Sequence, residues 1–61
     1  MNIKIEFVDG EELYLNDVIA IKQMLNDVIC FTGSYDNYTY SQSFDLNDIK
    51  YFHYVINENN A

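Results

Sequence analysis

Between Tyr38 and Ile56 the chain reads YTYSQSFDLNDIKYFHYVI, with Tyr38, Tyr40 and Phe44 at even positions and Thr39, Ser41 and Ser43 at odd ones. That two-residue alternation predicts a half-buried strand with one wet and one packed face. Asp45 then stands as the N-cap of a single helical turn, with Asp48 three residues on, close to a capping box but with Asp where Glu or Gln is usual. From Ile49 to Ile56 all but Lys50 and His53 are apolar or aromatic, which predicts a strand covered on both faces or with one face held by a partner. Most of the aromatic residues fall in this stretch, so the rest of the fold is organised around it.

Towards the N-terminus, Ile3, Ile5 and Phe7 alternate with Lys4 and Glu6, and Asp9-Gly10 marks a tight turn. A two-residue loop would set Phe7 opposite Glu12 and Ile5 opposite Tyr14. A three-residue loop, Val8 to Gly10 with Gly10 left-handed, pairs Ile5 with Leu13 and Ile3 with Leu15, and the core face selects it. Its cost is a like-charge pair, Glu6 facing Glu12. The segment Asn16 to Leu25 is ambiguous, because Val18, Ile21 and Leu25 also have helical spacing behind a capping Asn16. The β-branched run Val18 to Ile21 and the hairpin signal Asn26-Asp27 before Val28 to Thr32 favour strand, with Ile19 and Ile21 pointing one way and Ala20 and Lys22 the other. Gly33 to Asn37 is expected as a loop with Tyr35 at its tip. The polar residues 57–61 form a tail to a single domain over 1–56.

These elements predict an all-β fold: a small antiparallel barrel or curled sheet of five strands with one helical turn before the last strand. The alternative is α+β, with a short helix over 16–25. The order strand, helical turn, strand at the end of the chain resembles SH3-like barrels, in which a single 3-10 turn separates the final two strands. That resemblance implies a fold and no particular function.

Ten acidic side chains stand against three lysines and no arginine, a net charge of -7. Phosphate recognition needs cations to replace counterions, so direct nucleic-acid binding is not expected. A single cysteine, Cys30, forms no internal disulfide, and a chain of 61 residues must rest on packing, aided by self-association into an expected homodimer. The N-terminus has no basic segment leading into an apolar run, and Val18 to Ile21 is far below a membrane span, so a cytoplasmic protein of a bacterial host is expected. Abundant Asn, Ile, Tyr and Phe without Pro, Trp or Arg point to an AT-rich genome, a low-GC bacterium or its phage.

Catalytic chemistry has little footing. Cys30 lies between Ile29 and Phe31 as an ordinary small core residue, and His53 between Phe52 and Tyr54 as a surface or edge residue, so a thiol–imidazole pair is not expected. Neither Asp9 with Glu11 and Glu12 nor Asp45 with Asp48 has the spacing of a calcium loop, and the only glycines, Gly10 and Gly33, sit in turns. No metal, cofactor or enzymatic activity is expected.

What stands out is six tyrosines beside ten acids. Tyrosine is amphipathic and loses little entropy on being fixed, so tyrosines among carboxylates suit an interface with Lys- and Arg-bearing surfaces. The expected partner-binding residues are Glu6, Asp9, Glu11, Glu12 and Tyr14 on and around the first hairpin, with Tyr35 in the later loop. The function expected is a non-enzymatic acidic protein-binding module. Small size, AT-rich composition and negative charge resemble phage-encoded inhibitors, including anti-CRISPR and other anti-defence proteins, and imply occupation of a basic, nucleic-acid-binding groove on a host or defence protein. A ligand-sequestering homo-oligomer and a structural subunit of a phage or bacterial assembly are the alternatives, and a solvated hairpin is the plain reading of the acidic turn.

Overall fold

The computed structural model describes residues 1–56, and the expected tail lies outside them. The elements are β1 (Asn2–Phe7), β2 (Glu12–Leu15), β3 (Val18–Met24), β4 (Val28–Tyr35), β5 (Tyr38–Asp45), a 3-10 turn (Leu46–Asp48) and β6 (Ile49–Val55). The fold is all-β. No helix among the described residues is long and apolar enough to cross a membrane.

Two three-stranded antiparallel sheets, β2-β1-β6 and β3-β4-β5, face one another without closing into a barrel. There are six strands where five were expected: two in the first hairpin, two in the hairpin that spans Val18 to Thr32, and the last two; the chain bends at Asn16-Asp17 and delivers β2 and β3 to different sheets. Asp17 sits at φ 59, a left-handed conformation that Asp tolerates better than most side chains. The helix weighed for 16–25 is replaced by strand: Val18–Met24 is rich in β-branched residues and pairs with β4 from Val18↔Gly33 to Met24↔Val28.

The first hairpin has the register chosen by its core face, with Ile3↔Leu15, Ile5↔Leu13 and Glu6↔Glu12. Its three-residue loop closes through the Gly10 N–H donating to the Phe7 carbonyl at 3.0 Å and the Phe7 N–H to Glu11 at 2.9 Å, with Gly10 at φ 94. The second hairpin turns through Leu25, Asn26 and Asp27, the last two at φ 63 and 59.

Two expectations for the second sheet are corrected. The pairing steps from Val18↔Gly33 to Ala20↔Thr32, so Ile19 is an extra, bulged residue. The bulge shifts the alternation by one, burying Val18 and half-burying Ile21 while Ile19 stands 63% exposed. The loop expected over Gly33 to Asn37 is only the turn Asp36-Asn37, and Gly33 to Tyr35 continue β4. Gly33 signals a break in the sequence, but here it makes room: it lies directly opposite Tyr40, and a Cβ on it would stand 2.2 Å from the Tyr40 ring.

The core is one layer of side chains: Ile3, Ile5 and Leu15 from the first sheet against Val18, Ile29 and Phe31 from the second. Phe31 is fully enclosed, its ring 5.3 Å from Phe52 and 6.0 Å from Phe44, and burying a ring of this kind contributes roughly 1.5–3 kcal/mol. Asp45 caps the 3-10 turn by accepting the Asn47 N–H at 2.9 Å. That turn is tied to both neighbouring hairpin loops, through the Val8 N–H to the Asp48 carbonyl and the Leu46 N–H to the Asp27 carbonyl. At the opposite corner Met1 and Val18 exchange backbone hydrogen bonds, joining β1 to the start of β3.

Candidate functional site

In an antiparallel pair, directly opposed residues share a face, so the register places Glu12 and Tyr14 of β2, Lys4 and Glu6 of β1, and Tyr51 and His53 of β6 together on the outer face of the first sheet. Glu6, Glu12 and Tyr14 therefore stand where the sequence put them. Asp9 and Glu11 are exposed at the hairpin turn, where the Asp9 carboxylate accepts the Glu11 N–H at 2.9 Å.

The acids of that face are not free. Lys4 Nζ lies 3.3 Å from Glu12 and 5.9 Å from the centre of the Tyr14 ring, so one cation serves a carboxylate and a ring face. The hydrogen bond to Glu12 holds the Lys4 pKa above its ordinary value. Between Glu6↔Tyr51 and Phe7↔Ile49 the register skips Lys50, which makes Lys50 a bulge residue beside Tyr51. Both side chains consequently reach Glu6, the Tyr51 hydroxyl donating at 2.6 Å and Lys50 Nζ lying at 3.7 Å. The Tyr51 hydrogen bond, with Lys50 and Lys4 behind it, lowers the Glu6 pKa, and the same bond raises that of the Tyr51 phenol. The like-charge pair Glu6↔Glu12 is relieved by a lysine on each acid.

Tyr35, expected apart from this hairpin, meets Tyr14 in an open groove of about 270 Å³ beside the β2–β3 bend. Tyr14, Leu15 and Asn16 form one side of it, and Tyr35, Tyr38, Tyr40 and Gln42 of the β4–β5 hairpin the other. Tyr35 and Tyr38 flank the two-residue turn as a cross-strand pair, rings edge to face at 5.6 Å, and stay 49% and 56% exposed. Tyr40 is fixed by the space over Gly33 and by its hydroxyl, which donates to the Asn16 carbonyl. Burial, with Asp17 and Tyr35 nearby, raises its pKa. Among the described residues no basic side chain lines the groove.

Tyr38 and Tyr40 were missed as site residues because their alternation marks them as core. The signal that could have found them is the same alternation carried across a two-residue turn, which sets Tyr38 against Tyr35.

The remaining chemistry is dispersed. Cys30, expected in the core, pairs with Lys22 and Ser43 on the outer face of the second sheet, whereas His53 lies on the outer face of the first. The two do not meet. Among the described residues no group of three or more His, Cys, Asp and Glu is placed to hold a metal ion. A larger cleft, about 480 Å³, opens between the first hairpin turn and the end of β5, lined by Asp9, Asp45 and Asp48 over Phe7 and Phe44. No protein-family model, curated protein or solved structure matches this chain.

Proposed function

We propose that the chain is a non-enzymatic protein-binding module whose tyrosine groove receives a basic surface of a larger protein. The observation that carries this reading is the groove itself: Tyr14, Tyr35, Tyr38 and Tyr40 converge from two hairpins, three of them about half exposed, and among the described residues no cation is in its lining, Lys4 lying over the ring of Tyr14. A cluster of exposed rings is costly to leave in water and is the composition of an interface centre. Ring faces and phenol oxygens suit guanidinium and ammonium groups. Asp9, Glu11, Asp45 and Asp48, none of them paired with a lysine among the described residues, add the long-range field that speeds encounter with a basic partner.

In its specific form the proposal is an inhibitor, of phage or mobile-element origin, that occupies a nucleic-acid-binding groove of a host or defence protein. The charge supports this, since a surface evolved for phosphate also attracts a chain of net charge -7. The test is capture of partners from bacterial lysate at low salt, followed by competition. Binding is expected to fall steeply towards 1 M salt, where the screening length shrinks to about 3 Å, and to be displaced by DNA or heparin. Binding that persists at high salt and ignores polyanions would remove the basic-groove reading.

A further inference from the structure

A different face of the molecule points to a different partner. β6 lies at the edge of its sheet, hydrogen-bonded to β1 on one side, and among the described residues no strand covers the other. Beneath it lies an open groove of about 340 Å³ whose lining among the described residues is Ile3, Ile21, Phe52, His53 and Tyr54, none of them a carboxylate. The register brings the end of β6 to the corner where β1 meets β3, since Val55 opposes Asn2 and Met1 is bonded to Val18. Met1, Ile19, Tyr54 and Ile56, each within two residues of that junction, are 46%, 63%, 66% and 79% exposed. An uncovered strand edge beside exposed apolar side chains is a template for pairing with another strand.

Charge decides which strand. Copies of a chain of net charge -7 repel one another except where they present no acid. Edge β2 carries Glu12 and edge β5 carries Asp45, while the bulge at Ile19 interrupts edge β3. β6, from Ile49 to Val55, carries Lys50 and His53 and no acid. The β6 of a second copy therefore meets it without acid against acid, and Lys50 is held 3.7 Å from Glu6 of its own chain.

We infer that β6 pairs antiparallel with β6 of a second copy about a two-fold axis, covering the groove of Ile3, Ile21, Phe52 and Tyr54 on both chains. Centred on Phe52, this arrangement sets each Tyr51 opposite the partner's His53 on the outer face and brings each Tyr54, which shares the face of Ile3, over the covered groove. It also extends a core that, among the described residues, has six buried side chains, which for a chain this small is a substantial gain.

Sedimentation equilibrium of the full chain tests the pairing. The expected mass is twice the 7.2 kDa of one chain at micromolar concentration. Tyr54→Lys, which puts a charge into the groove that the second copy covers, is expected to halve the mass while the circular dichroism spectrum stays β-type. Tyr38→Lys in the tyrosine groove is expected to leave the dimer intact. A monomer at high micromolar concentration overturns the inference, as does a dimer that survives in folded Tyr54→Lys protein. Neither outcome touches capture of a basic partner by the tyrosine groove, so the two proposals fail separately.

Discussion

On the outer face of β2-β1-β6, Lys4, Glu6, Glu12 and Lys50 all find partners within the chain, and Tyr51 spends its hydroxyl on Glu6. In the groove some residues away, Tyr14, Tyr35 and Tyr38 expose about half their surface; Tyr40 is tied down by its hydroxyl, and Lys4 lies over the ring of Tyr14. The first region is dense in charge and locally satisfied; the second, among the described residues, has no charged side chain in its lining and stands open. Charge density along a sequence therefore locates a field, while the groups still available to a partner are decided by what each side chain meets across the strands.

The sharpest way to break this contrast is to remove the groove's foundation. Gly33→Ala drives a methyl into the Tyr40 ring, and overpacking of this kind costs about 1–3 kcal/mol, a large part of a small domain's stability. Urea denaturation should show a lower midpoint, and Gly33→Ala combined with Tyr40→Ala should be less damaged than the sum of the two changes. An additive pair would mean that the ring does not depend on the glycine.

Next comes binding. Tyr38→Ala, exposed and outside the core, is expected to weaken capture of a basic partner by about 2 kcal/mol, some 30-fold, with the fold unchanged. Glu11→Lys with Glu12→Lys should instead slow association and flatten its salt dependence. Equal affinity in Tyr38→Ala and the unmodified chain, measured by titration calorimetry, would move the interface to the acidic cleft of Asp9, Asp45 and Asp48.

A smaller effect is expected for Tyr40→Phe, which keeps the ring over Gly33 but leaves the Asn16 carbonyl without its donor, a loss of about 1 kcal/mol in thermal unfolding. The smallest belongs to the satisfied face. Glu6 is held below its ordinary value of 4.5, chiefly by the Tyr51 hydroxyl, so its contribution is present above that value and lost as pH falls through the lowered one. Tyr51→Phe should therefore reduce stability slightly at neutral pH and hardly at all in acid, where Glu6 is protonated in both proteins. A difference that grows on acidification would contradict the hydrogen bond to ionised Glu6.

Much of the fold was legible because short-range rules agree there. Alternation at Ile3, Ile5, Leu13 and Leu15, with a glycine available for φ 94, left one register for the first hairpin. Asp45 before Leu46 announced its own cap. Of the candidate site, the outward parity of Glu6, Glu12 and Tyr14 was equally readable, since side chains in a strand have only two directions to choose from.

What the sequence by itself determined is thus an all-β chain of short strands, its core-facing parity, its net charge and its surplus of tyrosine. Tertiary structure alone decided the two bulges, and each changed what the residues do. The bulge at Ile19 turned Val18 inward, and the bulge at Lys50 aimed Lys50 and Tyr51 together at Glu6. It alone decided that Gly33 is a strand residue beneath a ring and that Tyr14 and Tyr35 share a groove. The physical reason is common to all of these: a bulge, a ring seated on a glycine and a groove between hairpins are relations between residues 7 to 45 positions apart, fixed by how two sheets fill one thin core, and no pattern local to either partner encodes them.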